Sequence, residues 1–285
     1  MLRIRLVATL LMALTSTPAL GFSGYLHELV CEMALELVDR ETRNFVTAVV
    51  NESNVAPGFD SFASACSWAD EVRRTTHRET YEYHFINTPR IARLNFPRDC
   101  AAQDCVTQAV MRYANYLASP GSNADTRKEA LLFLGHFVAD LHQPMHVANL
   151  EDLGGNRINV LLVSANDQQR SNLHRVWDND MGRAARLHYR NALGRLMDGV
   201  RIADREQWLT GGINSWAMET HLLARSVAYR MPDGSAIVNG AELGPDYFEQ
   251  GVPVVTQQIM KAGVRLALLL ELAGRGEISP ALLGN

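Results

Sequence analysis

The sequence LLFLGHFVADLHQPMH, residues 131–146, combines a dense apolar pattern with a few polar side chains. His136 and Asp140 stand four residues apart, so a helix places both on one face. Pro144 ends such a helix, and His146 follows two residues later. A buried His or Asp costs several kcal/mol unless it is paired or bound to a metal. The segment therefore predicts a core helix that carries metal ligands.

Helical patterns dominate the rest of the chain, which has 285 residues and 47% hydrophobic side chains. Apolar residues recur at helical spacing in residues 28–38, 105–117, 128–141, 183–197, 213–229 and 247–272. Asp125 is the expected N-cap of the third helix. Only residues 81–87 and 157–163 show the β-branched and aromatic enrichment of strands. We therefore predict one mainly α globular domain with a few short strands and long loops.

The charge balance restricts the classes of function. A net charge of -4 argues against proteins that package DNA, because these neutralise phosphates with clustered Lys and Arg. After residue 21 the sequence contains no run of about 20 apolar residues, the length that a membrane-spanning helix needs. If the substrate is a nucleic acid, bound metal ions must supply much of the attraction.

The N-terminus, MLRIRLVATLLMALTSTPALG, predicts a signal peptide over residues 1–21. Arg3 and Arg5 precede a short apolar run and a small-residue ending, the order typical of secretory signals. An N-terminal anchor helix is the alternative, but the apolar run is short for one. Cleavage would make Phe22 the first residue of a domain over 22–285. We expect a secreted or periplasmic protein.

Export permits disulfide bonds between the four cysteines. Cys100 and Cys105 enclose a short polar loop and are the expected pair. Cys31 and Cys66 either form a second bridge or remain buried thiols. Zinc binding by cysteine is a weaker interpretation, because the sequence has no CxxC pair.

A second His-x-x-x-Asp pattern, His174 and Asp178 in NLHRVWDNDM, repeats the spacing of the first. One such pair is more often a surface ion pair or a core histidine than a metal site, but two pairs and His146 favour metal. Zinc accepts imidazole and carboxylate ligands when thiolates are absent. Further candidate ligands lie at Asp70 in SWADEVR, His84 in YHFIN and His27.

These segments, together with GGNRINV (154–160) and KAGVRLALLLELA (261–273), closely resemble the trinuclear-zinc single-strand-specific nuclease family of the S1/P1 type. The resemblance covers nearly all of the mature chain, in the family's order and spacing. It implies a nearly all-helical fold with three zinc ions in a cleft, shared in outline with zinc-dependent phospholipases C.

The resemblance also implies which residues bind each ion. The first zinc would take Asp70, His84, His136 and Asp140. The second would take His146, His174 and Asp178. The third would take His27, Asp140 as a bridge, and the free amine and carbonyl of Phe22. The family usually has Trp at that first position, but the ligating atoms are backbone atoms.

The implied activity is hydrolysis of single-stranded DNA and RNA by an endonuclease that leaves 5'-phosphates, with 3'-nucleotidase activity as a further expectation. A zinc-activated hydroxide would attack phosphorus, assisted by Asp70 and Asp140 as ligands. Arg73 would neutralise developing charge, although a salt bridge with Asp70 or Glu71 is its alternative role. We expect a monomer that does not insert into membranes.

Substrate contacts rest on the same resemblance. Phe85 would stack on a base, an interaction that tolerates any sequence, unless it belongs to the core. Asn87 stands where the family often has Asp, so base preference is expected to be altered or relaxed. Asn156 is a candidate contact to base or sugar.

Two other functions fit the same ligands. A zinc-dependent phospholipase C would need a lipid-facing cleft in place of the base pocket. A noncatalytic zinc-binding protein would usually carry His-rich loops, which this sequence lacks.

Overall fold

The computed structural model describes residues 22–203 and 205–284, and its central element is the helix α7, Ala124–Leu141. From Ala130 to Leu141 every residue of this helix is buried. A helix that is covered on all sides must lie inside the domain. The predicted core helix is therefore confirmed.

The N-cap of α7 differs from the prediction. Asn123, not Asp125, accepts a hydrogen bond from the backbone N–H of Thr126. The helix begins one residue after Asn123, which places Asp125 inside the first turn. A cap must precede the helix so that its side chain can reach back to an unpaired N–H group, and Asp125 instead accepts a hydrogen bond from Ser53.

The other helices surround α7. Their bounds are α1 Gly24–Leu37, α2 Arg40–Asn51, α3 Phe62–Ala65, α4 Trp68–Val72, α5 Phe96–Asp99, α6 Val106–Ala118, α8 Leu173–Arg175, α9 Met181–Ala184, α10 Ala192–Ile202, α11 Arg205–Leu209, α12 Ile213–Leu223 and α13 Pro245–Arg275. Shorter 3-10 turns cover Arg78–His84, Pro144–His146 and Pro280–Leu283, and π-helical turns cover Val176–Asp180 and Ala224–Ala228.

Five short strands complete the described fold. Strand β1 (Ile86–Thr88) pairs in parallel with β2 (Val147–Asn149). Strand β3 (Asn159–Val163) lies between antiparallel β4 (Gln168–Asn172) and parallel β5 (Ala241–Leu243). The predicted class, a mainly helical domain with few strands, is confirmed.

The extended conformation predicted for residues 81–87 is wrong over most of its length. A 3-10 turn continues to His84, and the strand begins only at Ile86. The aromatic enrichment has another cause, because the Tyr83 ring packs edge-on against Phe137 of α7, 6.3 Å between centroids. Strand propensity reflects such half-buried packing and not an intrinsic backbone preference.

The single helix predicted over 183–197 is also wrong, because the chain breaks it into α9 and α10. Arg186 adopts a left-handed conformation with φ 58°. The N–H groups of Arg186 and Leu187 then bond back to Arg183 and Gly182, the pattern of a Schellman helix end.

Both pairs of cysteines form disulfide bonds, Cys31–Cys66 and Cys100–Cys105. The first bridge lies directly against α7 at Gly135. A Cβ atom at Gly135 would come within 2.8 Å of both sulfur atoms of that bridge. The lack of a side chain at Gly135 therefore allows the disulfide to pack directly against α7, next to His136.

A buried arginine joins α13 to the end of α7. The Arg265 guanidinium contacts the Nε2 atom of His142 at 2.7 Å, the carbonyl of Trp208 at 2.9 Å and the carboxylate of Glu219 at 2.7 Å. His142 Nδ1 donates to the carbonyl of Val138, so its Nε2 atom is free to accept from Arg265. The His142 side chain thus fixes the helix end through hydrogen bonds to Val138 and Arg265.

No described helix is both long enough and apolar enough to cross a bilayer. The predicted signal peptide over residues 1–21 lies outside the described residues.

Gly135→Ala should destabilise the protein by about 1–3 kcal/mol, because the added methyl group overpacks the disulfide. Gly194→Ala in α10 is the matched control, since a Cβ atom there meets nothing within 4 Å. That change should stabilise the protein by about 0.5–1 kcal/mol through helix propensity. Denaturant unfolding of both variants measures the difference, and equal effects would contradict the packing argument.

Candidate metal centre

Eight buried ionisable side chains converge at the inner end of α7. They come from α1, α4, the turn before β1, α7, the turn before β2 and the segment after β4, and they are His27, Asp70, His84, His136, Asp140, His146, His174 and Asp178. Their potential ligand atoms form three groups, each within 4.8 Å: His27 with His136 and Asp140, Asp70 with His84 and His136, and His146 with His174 and Asp178.

Local structure explains why distant residues meet here. His136 and Asp140 lie one helical turn apart on α7, as predicted, and their closest side-chain atoms are 3.1 Å apart. Pro144 ends that helix and opens the 3-10 turn that carries His146 inward. His174 and Asp178 also lie one turn apart, with 3.2 Å between Nε2 and Oδ2.

Asp140 stands at the middle of the cluster with its two oxygens facing different partners. Its Oδ1 atom lies 3.3 Å from His27 Nε2 and 3.1 Å from His146 Nδ1. Its Oδ2 atom lies 2.8 Å from His84 Nδ1 and 3.1 Å from His136 Nε2. A carboxylate placed this way can bridge two metal ions.

The distances between ligand atoms suit zinc. Bonds of about 2.0–2.1 Å in a tetrahedral site place neighbouring ligand atoms about 3.3 Å apart. His136 Nε2 lies 3.0 Å from His84 Nδ1, and both nitrogens lie 3.9 Å from Asp70 Oδ1. Imidazole nitrogens and carboxylate oxygens are also the donor set that zinc accepts.

Hydrogen bonds to backbone carbonyls orient three of the imidazoles. His136 Nδ1 lies 2.7 Å from the carbonyl of Cys66, and His174 Nδ1 lies 2.7 Å from that of Gly154. His146 Nδ1 lies 2.9 Å from the carbonyl of His84. A ring nitrogen that donates to a carbonyl leaves the other nitrogen with a lone pair for a metal.

Several buried atoms of the cluster have no hydrogen-bond partner among the described residues. They are Asp70 Oδ1, Asp178 Oδ2, His27 Nδ1 and His84 Nε2. Buried polar atoms are almost always satisfied, so each exception needs a physical reason. Asp70 Oδ1 has an ion-pair contact with Arg73, and Asp178 Oδ2 faces the imidazole of His174. Carboxylate oxygens in such a cluster of imidazoles are an environment that a cation completes.

The electrostatics favour the metal-binding protonation states of His84, His174 and Asp140. In His136 and His146, burial lowers the pKa but the nearby Asp140 carboxylate outweighs it, so their pKa is raised. Burial lowers the pKa of His84 and of His174 to about 3, which keeps both imidazoles neutral. Burial alone would raise the pKa of Asp140, but the facing imidazoles of His136 and His146 hold it well below its usual range. Neutral imidazole and ionised carboxylate are the forms that bind a metal.

Asp178 shows the opposite behaviour. Burial raises its pKa well above the usual range, and the nearby His146 and Gln143 only partly oppose that rise. A buried carboxylate pays this penalty when no positive charge lies close to it. A cation held beside Asp178 would remove the penalty.

Arg73 lies beside the cluster and is buried. Its Nη2 atom is 3.0 Å from Asp70 Oδ1, so the ion pair expected as the alternative role is present. The guanidinium also lies over the Tyr81 ring, 5.8 Å from the centroid. The pair with Asp70 holds a fixed positive charge next to a predicted ligand.

The first described residues also reach the cluster. Phe22 is completely buried, and its ring centroid lies 6.2 Å from that of His27 in an edge-on arrangement. The next backbone N–H, from Ser23, donates to the carbonyl of Asp178 at 2.8 Å. The predicted start of the mature chain is therefore anchored beside two predicted ligands.

The predicted substrate contacts do not all lie together. Phe85 and Asn87 line one open cavity of about 320 Å³, with Leu150 on the same wall. Asn156 does not line that cavity, and its side-chain amide donates to the carbonyl of Leu153. The structure therefore brings Phe85 and Asn87 together and leaves Asn156 in its own turn.

Sequence reasoning gave no role to Gln143, although it stands between Asp140 and His146. Its buried side chain donates to Asp178 Oδ1 and accepts from the backbone N–H of Met145. The amide thereby fixes both the turn and one ligand. The position of Gln143, between Asp140 and His146 and directly before Pro144, is the sequence signal that could have identified this role.

The Gly154–Gly155 pair has a structural role beside His174. Gly154 has φ +60°, and a Cβ atom there would lie 2.3 Å from the carbonyl oxygen of Met145. Only glycine fits this conformation and this close approach. The Gly154 carbonyl can then accept the hydrogen bond that orients His174.

Known proteins are similar to this chain over most of its length. A family model described as "S1/P1 Nuclease" matches residues 23–274. The chain is similar to Endonuclease 4 of Arabidopsis thaliana, at 34% identity over 271 residues and 86% of each chain. It is similar to Nuclease S1 of Aspergillus oryzae, at 30% identity over 275 residues, 88% of this chain and 91% of that protein. Among solved structures, "Alpha Toxin from Clostridium Absonum" matches with a TM-score of 0.42 and 15% identity, over 87% of this chain and 63% of that chain.

Zinc should raise the melting temperature of the metal-free protein, because a ligand that binds only the folded state stabilises it by mass action.

Asp140→Ala should lower the zinc content by more than one ion per chain, since its two oxygens face different ligand groups. Asp198→Ala, at a carboxylate 74% exposed, is the control. Metal analysis of folded protein checks both variants, and unchanged zinc in Asp140→Ala would contradict the bridge.

Proposed function

Because the chain belongs to the S1/P1 nuclease family, we propose that it is a zinc-dependent endonuclease that hydrolyses single-stranded DNA and RNA. The products would carry 5'-phosphates, and 3'-mononucleotides would be additional substrates. The observation that carries this proposal is the buried convergence of imidazoles and carboxylates around Asp140.

Three zinc ions fit the three groups of ligand atoms. One ion would be held by Asp70, His84, His136 and Asp140, a second by His146, His174 and Asp178, and the third by His27, Asp140 and the amine and carbonyl of Phe22. The position of Asp140, with each oxygen facing different imidazoles, supports its role as the shared ligand. When bound, zinc supplies the Lewis acidity that activates water toward phosphorus.

Arg73 provides charge from the protein itself. Its guanidinium, held by Asp70 at 3.0 Å, stabilises negative charge on the phosphate as the bond to the leaving oxygen breaks. The planar guanidinium suits phosphate oxygens better than an ammonium group does. The burial of Arg73 limits competing hydration.

The cavity lined by Phe85 and Asn87 supplies the base site. Phe85 is half-buried and its ring meets Tyr81 edge-on, with 5.9 Å between centroids. Stacking on an aromatic ring tolerates every base, and bases already stacked in a duplex gain little from it. This accounts for the preference for single strands. The Asn87 amide can both donate and accept hydrogen bonds, which relaxes the choice of base.

Export is part of the same proposal. Two disulfide bonds are typical of an oxidising compartment, and signal cleavage after Gly21 would create the amine of Phe22. The buried position of Phe22 beside His27 and the bond from Ser23 to Asp178 support a free N-terminus at this place.

The purified, zinc-loaded protein should cleave single-stranded DNA and RNA much faster than duplex DNA. Phe85→Ala should lower kcat/KM on single strands by about 5- to 150-fold, because base stacking contributes about 1–3 kcal/mol. Tyr116→Ala, at an aromatic residue 46% exposed on α6, is the matched control. Initial rates on labelled oligonucleotides measure both effects.

Two outcomes would refute the proposal. Cleavage of phosphatidylcholine without cleavage of nucleic acid would identify a phospholipase C. Full activity in Asp140→Ala would show that the metal cluster is not the site of catalysis.

The free amine of Phe22 can be tested by adding one alanine before it. The extra residue should remove the amine ligand and therefore lower both zinc content and turnover, while the melting temperature of the metal-free protein stays unchanged. Protein that begins at Phe22 is the reference, with its terminus verified by mass spectrometry. Equal zinc content in the two proteins would exclude the amine as a ligand.

A further inference from the structure

A second cavity, of about 120 Å³, lies beside the end of β2 and contains three arginines. Arg90, Arg225 and Arg230 line it, together with Asn149, Tyr229 and Asp152. The cavity has room for several water molecules or for one tetrahedral anion. We call this group the arginine cavity.

The positive charge of the arginine cavity is not balanced by its lining. Asp152 is the only carboxylate there, and it already accepts hydrogen bonds from Tyr229 Oη at 2.7 Å and from the N–H of Gly155 at 2.6 Å. Arg90 Nη2 lies 3.7 Å from Asp152 Oδ2. One carboxylate against three guanidiniums leaves about two positive charges.

The other two arginines have no acidic partner among the described residues. Arg225 donates to the carbonyl of Ala92, and Arg230 makes only long contacts, 3.3 Å to the carbonyl of Arg225 and 3.4 Å to that of Gly234. Asp233, the acidic side chain nearest to Arg230 in sequence, does not line the cavity and accepts the backbone N–H of Ser235 at 2.9 Å. Glu151 does not line it either and accepts the backbone N–H of Arg90 at 3.0 Å.

The arginine cavity adjoins the metal centre and the cavity lined by Phe85 and Asn87, which we call the base cavity. Asp152 accepts from Gly155, and the neighbouring Gly154 carbonyl orients His174, so one loop separates the arginines from a predicted zinc ligand. Strands β1 and β2 carry both cavities, because Pro89 and Leu150 line the base cavity. Their sequence neighbours Arg90 and Asn149 line the arginine cavity.

We propose that the arginine cavity binds a backbone phosphate of the nucleic acid, on a nucleotide beyond the one whose phosphate is cleaved. Guanidinium groups pair with phosphate oxygens in a bidentate geometry, and two uncompensated guanidiniums match one phosphodiester. A chain of net charge -4 then holds an extended strand through a local cationic site. This inference rests on the proposed nuclease function and extends it to longer substrates.

Substrate length tests the subsite. A dinucleoside monophosphate has one phosphate, which must occupy the metal centre, whereas a single-stranded decamer also offers phosphates to the arginine cavity. Arg230→Gln should leave kcat/KM unchanged for the dinucleoside monophosphate. It should lower kcat/KM for the decamer by about fivefold at 0.1 M salt and reduce the slope of its logarithm against log salt by about 0.7, the contribution of one phosphate contact on a single strand.

Two further variants separate this effect from general loss of charge or fold. Arg90→Gln, at a side chain 62% exposed, should repeat the length-dependent loss if Arg230→Gln happens to disturb the fold. Arg43→Gln, at a side chain 46% exposed on α2, removes one charge elsewhere and should change neither substrate.

The proposal is overturned if Arg230→Gln and Arg90→Gln cleave the decamer like the wild type, or if both substrates lose activity equally. It is also overturned if Arg230→Gln weakens inhibition by inorganic phosphate but leaves decamer kinetics unchanged, because the cavity would then hold a free anion. Wild-type protein that cleaves neither substrate would refute the nuclease function alone. The subsite would then be judged by decamer binding to zinc-loaded protein, which Arg230→Gln should weaken about fivefold.

Discussion

The fully buried carboxylate of Asp140, with imidazoles around both of its oxygens, is the constraint on which the rest of the structure depends. Ionised groups that leave water must be compensated by partners or by a metal. Here the donor atoms face one another across distances that suit a coordinated ion, and several lack any hydrogen bond. The helices around α7 therefore bring together side chains that can bind metal ions, and the hydrophobic core holds these side chains in place.

The supporting contacts are spread over the whole chain. Gly135 allows a disulfide to press against α7, the Gly154 carbonyl orients His174, and Gln143 fixes Asp178. Arg265 secures the end of the central helix through His142. Partners behind metal ligands set ring orientation and ligand basicity. Each of these residues therefore supports the centre indirectly, through a ligand or through the helix that carries two of the ligands.

The sequence predicted the central helix and its His–Asp pair because both depend on local spacing. His136 and Asp140 needed only helical periodicity, and the wider ligand set needed the family resemblance, since positions from 27 to 178 meet only in the tertiary fold. The missed features depend on partners that spacing does not reveal. Residues 81–84 look extended because the sequence does not show that Tyr83 packs against Phe137 of α7. Helix α2, capped by Asp39, gives a weak apolar pattern because its buried residues are few and include the polar Thr42. The arginine cavity is lined by residues from separate segments of the chain, so no sequence motif predicts it.

The Cys31–Cys66 bridge makes the organisation of the metal centre depend on the redox state of the surrounding compartment. Cys31 lies one turn after His27 on α1, and the Cys66 carbonyl accepts from His136, so the cross-link fixes two parts of the metal centre to each other. In a reducing compartment such bridges do not persist, and these parts would then be held by packing alone. Reduction of this bridge would therefore loosen the metal centre, whereas its oxidation holds the two parts of the centre in place.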